Sequence, residues 1–277
     1  MEIQTYRKML RMADESPESG ISVTQGIELY ERAPAEPLWY IDMVDNSSEV
    51  PPDSLPEGVE YGLEYKTLLI DVPKYLLYLK SHFESRGGKM HKQAIEHILD
   101  AVKYVPGSNV NVPLIVVNCT GLGSRNLGGV NDKRLYPIRG QTLLVNAPEA
   151  KRTITRIGSE KFSYVIPRGD GTVVIGGSAD NNEWDCRPND KLSRQIISRA
   201  LELEPALLDS KTLTEQVVSV GVGLRPMREG GVRLEVESIY KEKVGQTNVV
   251  HCYGHGGFGF QSSLAFADKV HELVNAL

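Results

Sequence analysis

Thr247-Asn248-Val249-Val250-His251-Cys252-Tyr253-Gly254-His255-Gly256-Gly257-Phe258-Gly259-Phe260-Gln261 organises the reading of this chain. Residues up to Tyr253 read as a strand, four glycines follow within six positions, and Ser262 to Val274 reads as a helix. Residues 254–259 satisfy G-x-G-x-x-G, and such a turn between strand and helix can cradle a pyrophosphate on backbone N–H groups. The context argues against that use. Only 18 residues follow Gly259 (277 minus 259), so no second strand is left to carry a ribose-binding carboxylate. What the turn does offer is close backbone approach to a ligand and a helix N-terminus that favours negative charge. A plain tight turn would take one glycine; four favour a ligand contact. His251 and His255 give an H-x-x-x-H spacing, but on a strand and turn they do not converge as helical ligands would, and no metal site is expected.

Moving upstream, Val232 to Val236 reads as a strand and Asp190 to Leu203 as an amphipathic helix, with Leu192, Ile196, Ile197, Ala200 and Leu201 on its apolar face. Between Gln141 and Gly177 the chain alternates in short segments (142–145, 162–166 and 172–175) that suit antiparallel sheet. The continuous apolar run Pro113-Leu114-Ile115-Val116-Val117-Asn118 has the character of a buried parallel strand. Nearer the N-terminus, Thr5 to Asp14 reads as a helix stopped at Ser16-Pro17-Glu18-Ser19-Gly20, and Ile21 to Glu31 as a strand. The proline-rich stretch from Asp45 to Val59 reads as a surface connection. Tyr65 to Ile70 is a further strand, and Pro73 opens a helix that Gly87-Gly88 closes.

The 277 residues include 40% hydrophobic and 24% charged side chains, an ordinary globular composition. With 31 basic against 36 acidic residues the net charge is −5, which offers no broad phosphate-neutralising surface for nucleic acid or an acidic membrane. No apolar run is long enough to span a bilayer, and the N-terminus has no secretory signal pattern. The three cysteines, 119, 186 and 252, are widely spaced and odd in number, which suits a reducing compartment better than a disulfide framework.

Further motifs carry a resemblance. Val117-Asn118-Cys119-Thr120-Gly121-Leu122-Gly123, followed by Arg139-Gly140-Gln141, is similar to the flavin-contacting strand and loop of D-amino-acid oxidases. Tyr164-Val165-Ile166-Pro167, Gly176-Gly177 and Trp184-Asp185 resemble that family's substrate-side sheet. Gly223-Leu224-Arg225-Pro226 with Gly231-Val232-Arg233-Leu234-Glu235 resembles its carboxylate-binding strand, and His255 to Gly259 its closing motif. The motifs fall in the family's order from about Tyr65 to the end.

The resemblance implies an α/β fold: an incomplete, Rossmann-like FAD-binding domain (residues 1–22, 66–140 and 240–277) interleaved with an antiparallel β-rich substrate domain (23–65 and 141–239). It is incomplete because the family begins with a strand, a true G-x-G-x-x-G turn and a ribose-binding acid, and nothing before Thr5 supplies them. The chain is therefore expected to be an N-terminally truncated member, either part of a longer protein or a short form with impaired FAD binding.

The resemblance also assigns roles. Arg225 would bind the substrate carboxylate, for which a planar guanidinium is well shaped. The Tyr164 hydroxyl would touch the same carboxylate, and the Gly257 carbonyl would accept from the substrate amine. Thr120, Gly121, Arg139, Gln141, Gly256, Phe258, Gly259, Phe260 and Gln261 would line the flavin, whose reduced form carries the negative charge that a helix N-terminus favours. Arg228 and Arg233 are read as structural ion-pairing residues. The implied reaction is oxidation of a D-amino acid with molecular oxygen to a 2-oxo acid, ammonia and hydrogen peroxide. Members that prefer acidic substrates carry a basic residue after the Gly-Gly-Ser/Thr step. Here Gly176-Gly177-Ser178 is followed by Ala179 and Asp180, with Glu183 and Asp185 beyond, so a neutral D-amino acid is expected. Two other readings stand beside this one: a non-catalytic module derived from such an oxidase, and a sarcosine- or glycine-oxidising relative, against which the Gly-Leu-Arg-Pro and Tyr-x-x-Pro pairing argues. The family's C-terminal peroxisomal address is not matched by Asn275-Ala276-Leu277, leaving cytosol or peroxisome, and a homodimer stays open.

Overall fold

A computed structural model describes residues 1–105, 114–158, 162–204 and 215–277. Helix α1 (Glu2–Glu15) begins three residues before the expected start and buries Thr5 and Met9, four positions apart, on one face. Pro17–Ser19 makes a single tight turn into strand β1 (Ile21–Tyr30). The connection after β1 contains a two-residue strand, β2 (Ser48–Glu49), and β3 (Tyr61–Ile70) starts four residues earlier than its pattern indicates. Helix α2 (Val72–Ser85) follows, with the Asp71 carboxylate accepting from the Lys74 N–H at 3.5 Å.

Strand β4 (Ile115–Asn118) falls within the expected apolar run, whose Pro113 lies outside the described residues. The remaining strands are β5 (Leu135–Asn146), β6 (Thr153–Ile157), β7 (Ser163–Pro167), β8 (Thr172–Gly176) and β9 (Asp180–Asn181). Helix α3 spans Asp190–Leu203, as its apolar spacing predicts, and is followed by β10 (Val217–Arg228), β11 (Arg233–Lys241) and β12 (Gly245–Tyr253). Helix α4 (Gly259–Asn275) closes the chain, opening three residues before the expected Ser262.

These elements form two sheets. The larger runs β10-β5-β8-β7-β6-β1-β3-β2, with β9 beside β5; it is antiparallel except where β1 pairs with β6. The smaller runs β11-β12-β4, with β4 parallel and β11 antiparallel to β12. The expected boundaries at 22/23, 65/66, 140/141 and 239/240 fall inside β1, β3, β5 and β11, because each of these strands is continuous through its ladder.

The main core lies under the large sheet. Leu143, Val145, Val165, Val173 and Ile175 meet Ile196, Ala200 and Leu203 of α3. A second cluster joins Ile98, Leu99 and Leu127 to Ile239 and Val249 of the small sheet. Helix α1 docks on α4, where the Ala265 N–H donates to Thr5 Oγ1 at 3.1 Å and Lys8 pairs with Asp268. Strand β4 departs from its expected burial. It is parallel to β12, but it is the outer strand of the smaller sheet among the described residues, and Val117 is 43% exposed.

Candidate active site

The two sheets are joined where the end of β10 meets the turn after β12, and the residues there build the site. Strand β10 carries Gly223-Leu224-Arg225-Pro226-Met227, and its end is pinned to the glycine turn that follows β12. The Gly256 N–H donates to the Pro226 carbonyl at 2.9 Å, and Met227 pairs with His255. Gly256 has φ 59°, and a β-carbon there would collide with Met227 Sδ, so both conformation and space call for glycine. A cavity of about 820 Å³ opens beside this junction.

Arg225 faces this cavity. Its Nη1 donates to the Ser178 carbonyl at 3.1 Å, and its guanidinium lies over Gly140. The Tyr164 hydroxyl lies beside the same guanidinium, and the Tyr164 ring packs over Gly176 and Gly177. Burial raises the pKa of this phenol, and the Arg225 charge offsets only part of that rise, so Tyr164 is a neutral hydrogen-bonding group at ordinary pH. Gly257 lies across from the Arg225 stem: a β-carbon at 257 would be 3.6 Å from Arg225 Cδ. Of the three residues expected at the substrate, Arg225 and Gly257 line the cavity, while Tyr164 stands beside the Arg225 guanidinium outside the lining.

The expected flavin-lining residues divide. Gly121, Gly256, Gly259 and Phe260 line the cavity. The Arg139 and Gln141 side chains do not. Successive strand residues face opposite sides, so Gly140 and Thr142 of β5 face the cavity while their neighbours point away. Arg139 is buried and donates to the carbonyls of Asp185 (2.7 Å) and Arg187 (2.8 Å) and to Asp180 Oδ2 (3.2 Å). Gln141 is engaged with Asn189 and Ser193 at the start of α3. Thr120 is held in a local network: its N–H and hydroxyl meet Asn118 Oδ1 at 3.1 and 2.9 Å, and its hydroxyl meets Ser124 Oγ at 2.7 Å. Phe258 and Gln261 line a separate cavity of about 310 Å³ near α1, Trp39 and Tyr65. There the Glu28 carboxylate accepts from the hydroxyls of Tyr30 (2.6 Å), Tyr65 (2.7 Å) and Tyr40, which makes it a hydrogen-bonded anchor rather than a free base.

Thr142 and Ser263 line the main cavity without having been named from the sequence, and Gly140, Gly223 and Cys252 line it without having been given a role at the site. For Gly140 and Thr142 the period-two alternation of a strand was the available signal. The acidic residues expected to repel a second carboxylate are placed otherwise. Asp180 pairs with Arg139 at 3.2 Å and Asp185 with Arg187 at 2.8 Å, in a polar recess apart from the cavity. Arg228 and Arg233 are ion-paired, with Asp132 and with Glu235 and Glu237 respectively. His251 bonds to Asn118 and Glu237, whereas His255 packs on Phe266, so the two imidazoles serve different neighbours.

A profile of the family described as FAD dependent oxidoreductase matches residues 11–273. The chain belongs to that family. A D-amino-acid oxidase of Schizosaccharomyces pombe is 32% identical over 268 residues, covering 95% of this chain and 74% of that protein. A D-aspartate oxidase of Homo sapiens is 34% identical over 285 residues, covering 99% of this chain and 77% of that protein. Glycine oxidase from Geobacillus kaustophilus has a similar fold, with a TM-score of 0.73 at 16% identity over 99% of this chain and 78% of that one. The cofactor of this FAD-dependent oxidoreductase is FAD, and the chain is an enzyme of the D-amino-acid oxidase kind. Among the described residues no helix is long and apolar enough to cross a membrane.

The cavity suits the flavin ring. Gly121, Gly140, Gly223 and Gly257 keep its walls open to a flat ligand. The N-terminus of α4 has no side-chain cap, and its first turn, through Gly259 and Phe260, borders the cavity. Free N–H groups at that end are placed to stabilise negative charge on a ring held there.

Proposed function

We propose that this protein oxidises neutral D-amino acids to 2-oxo acids, releasing ammonia and passing electrons to molecular oxygen to give hydrogen peroxide. The meeting of Arg225 and Gly257 at one glycine-walled cavity, with Tyr164 beside the Arg225 guanidinium, carries the reading. Bound FAD supplies the two-electron acceptor for the substrate Cα–H bond. The chain's own residues position and shield. Arg225 and the Tyr164 hydroxyl hold the carboxylate, and the Gly257 carbonyl accepts from the amine, so that Cα is turned toward the ring. The apolar flank of the cavity, with Leu224, Phe260 and Phe266, excludes water.

Preference for a neutral side chain rests on charge. Among the described residues lining the cavity, Arg225 is the only permanent cation, and His255 is held below its usual pKa by burial. A second carboxylate on the substrate would enter without a partner, at a cost of several kcal/mol if desolvated.

The test is direct. The purified protein is mixed with FAD, freed of excess cofactor, and its visible spectrum is recorded before and after anaerobic addition of D-alanine. Retained flavin that bleaches supports the reading. No bleaching with D-alanine or other neutral D-amino acids overturns it, and faster bleaching with D-aspartate overturns the neutral-substrate part.

A further inference from the structure

Strands β4 and β12 run parallel, with Asn118 opposite His251 at the end of their ladder. One residue further along lie Cys119, just past the end of β4, and Cys252 within β12. Side chains alternate between faces, so the two thiols share the face opposite the Asn118–His251 contact, and both line the main cavity. The two thiols are near enough to perturb each other's titration. Neighbouring strands lie about 4.7–4.9 Å apart, inside the roughly 4.4–6.8 Å Cα separation that a disulfide requires.

We propose that Cys119 and Cys252 form a peroxide-reactive dithiol in the cavity wall, oxidised reversibly to an intramolecular disulfide. The supply of peroxide in that cavity rests on the oxidase reading above; the thiol chemistry does not.

The two cysteines differ in the way that attacking and resolving thiols must. Cys119 is exposed, and the influence of the neighbouring Cys252 thiol outweighs burial and brings its pKa down to about 7. A substantial fraction is then thiolate at neutral pH, the form that reacts with peroxide. Cys252 is buried, its pKa is raised by the same contact and by burial, and its Sγ lies 3.9 Å from His255 Nε2. His255 is kept neutral by burial and can take up a proton at Nε2.

In the first step the Cys119 thiolate attacks one peroxide oxygen and the O–O bond breaks, leaving a sulfenic acid and hydroxide, which is protonated to water. In the second, Cys252 gives its proton to His255 and its sulfur attacks Cys119 Sγ. The S–O bond breaks, the hydroxide leaves with the proton from His255, and a second water forms. Two thiols and one hydrogen peroxide thus give one disulfide and two waters. Cys186, exposed on the loop before α3 and contacting the Trp184 carbonyl, has neither a neighbouring thiol nor a base among its described contacts.

The test uses the whole chain loaded with FAD and treated with reagent hydrogen peroxide, without amino-acid substrate. Alkylation and peptide mass mapping follow the three cysteines. Cys119 is expected to react roughly tenfold or more faster than Cys186, and a Cys119–Cys252 cross-linked peptide, cleaved by dithiothreitol, should accumulate. Cys252→Ser should stop Cys119 at the sulfenic acid, trapped by dimedone, and Cys119→Ser should leave Cys252 reduced. Circular dichroism confirms that each variant is folded, with Cys252→Ala as the substitute if the serine variant is not. Failure to form the cross-link, or unchanged Cys252 oxidation in Cys119→Ser, overturns the proposal. In a separate arm, D-alanine turnover with and without catalase replaces the reagent. Absence of turnover there counts against the oxidase reading, while the reagent-peroxide result still decides the dithiol.

Discussion

The Arg225 guanidinium lies against the α-carbon of Gly140 on the neighbouring strand, so that a β-carbon at position 140 would stand 2.7 Å from Arg225 Cζ. The fork that binds a carboxylate is thus seated in a space that only glycine leaves open. Gly140→Ala is expected to push the guanidinium off its seat and raise KM for D-alanine by about tenfold or more, the signature of weakened substrate binding. Arg225→Lys should do at least as much, because an ammonium cannot offer two parallel donors. Steady-state kinetics on flavin-loaded protein checks both; an unchanged KM in Gly140→Ala would remove Arg225 from the substrate.

Tyr164 shares the Arg225 guanidinium and packs over Gly176 and Gly177. Tyr164→Phe keeps the ring and its packing and removes only the hydroxyl. A hydrogen bond to a charged group is worth about 1.5–3 kcal/mol, so kcat/KM should fall by about 10- to 150-fold with little change in thermal midpoint. A large drop in stability instead would mark the hydroxyl as structural.

Beneath the site, Asp132 and Arg228 form a buried ion pair at 2.7 Å, and the Tyr253 hydroxyl donates to the same carboxylate oxygen at 2.9 Å. This pair ties the end of β10 to the loop before β5. Asp132→Ala, which leaves Arg228 buried and unpaired, should cost about 3–5 kcal/mol. Burial raises the Asp132 pKa, but the hydrogen bonds from Arg228, Tyr253 and the Arg134 N–H outweigh it, and the net shift is downward. A carboxyl with a lower pKa folded than unfolded contributes stability above its unfolded value near 4. That contribution is lost as pH falls from there through the folded value. Urea midpoints of wild type and Asp132→Ala should therefore converge below about pH 4.

How much of this was legible follows from what the chain does with proline and glycine. Pro17, Pro73 and Gly87 punctuate α1 and α2 in the ordinary way, and those helices read directly. Strands β5 and β10 carry Pro137, Gly140, Gly223 and Pro226, and Pro137 lies opposite Pro226 in their ladder. Residues that normally break a strand leave only 142–145 of β5 legible by alternation, and β10 legible only through the resemblance. They occur here because the backbone must leave room for Arg225 and the cavity. The resemblance points to Arg225, Tyr164 and Gly257, but it does not show that strand alternation turns the Arg139 and Gln141 side chains of β5 away from the cavity and leaves Gly140 and Thr142 facing it.

Three histidines set a second pH window. Burial holds His97, His251 and His255 below the ordinary imidazole value, with Lys241 adding to the effect at His97 and Arg233 at His251. Each stays neutral in the folded state while its unfolded counterpart begins to bind a proton near pH 6.5, so stability should decline as pH falls below that value. His251 is fully buried between Asn118 and Glu237. His251→Asn should lower stability at pH 8 yet flatten the decline between pH 6.5 and 5, measured by denaturant titration. A decline of undiminished slope would assign the window to other groups.

Arg139 separates a cofactor contact from a scaffold. Its donors go to the carbonyls of Asp185 and Arg187 and to Asp180, so it holds the 178–189 segment against β5. That segment includes Ser178, whose carbonyl accepts from Arg225 and whose hydroxyl accepts from the Gln141 N–H. Arg139→Met keeps much of the buried volume but leaves the two carbonyls without their donors, a loss of about 1–3 kcal/mol for each group left unsatisfied. The thermal midpoint should fall, and KM for D-alanine should rise because Ser178 no longer steadies Arg225. FAD affinity, measured by flavin fluorescence, should change by less than about threefold, since no side-chain contact to the ring is lost. A larger loss of FAD with an unchanged KM would return Arg139 to the flavin, and the position of its side chain away from the cavity would then need a different explanation.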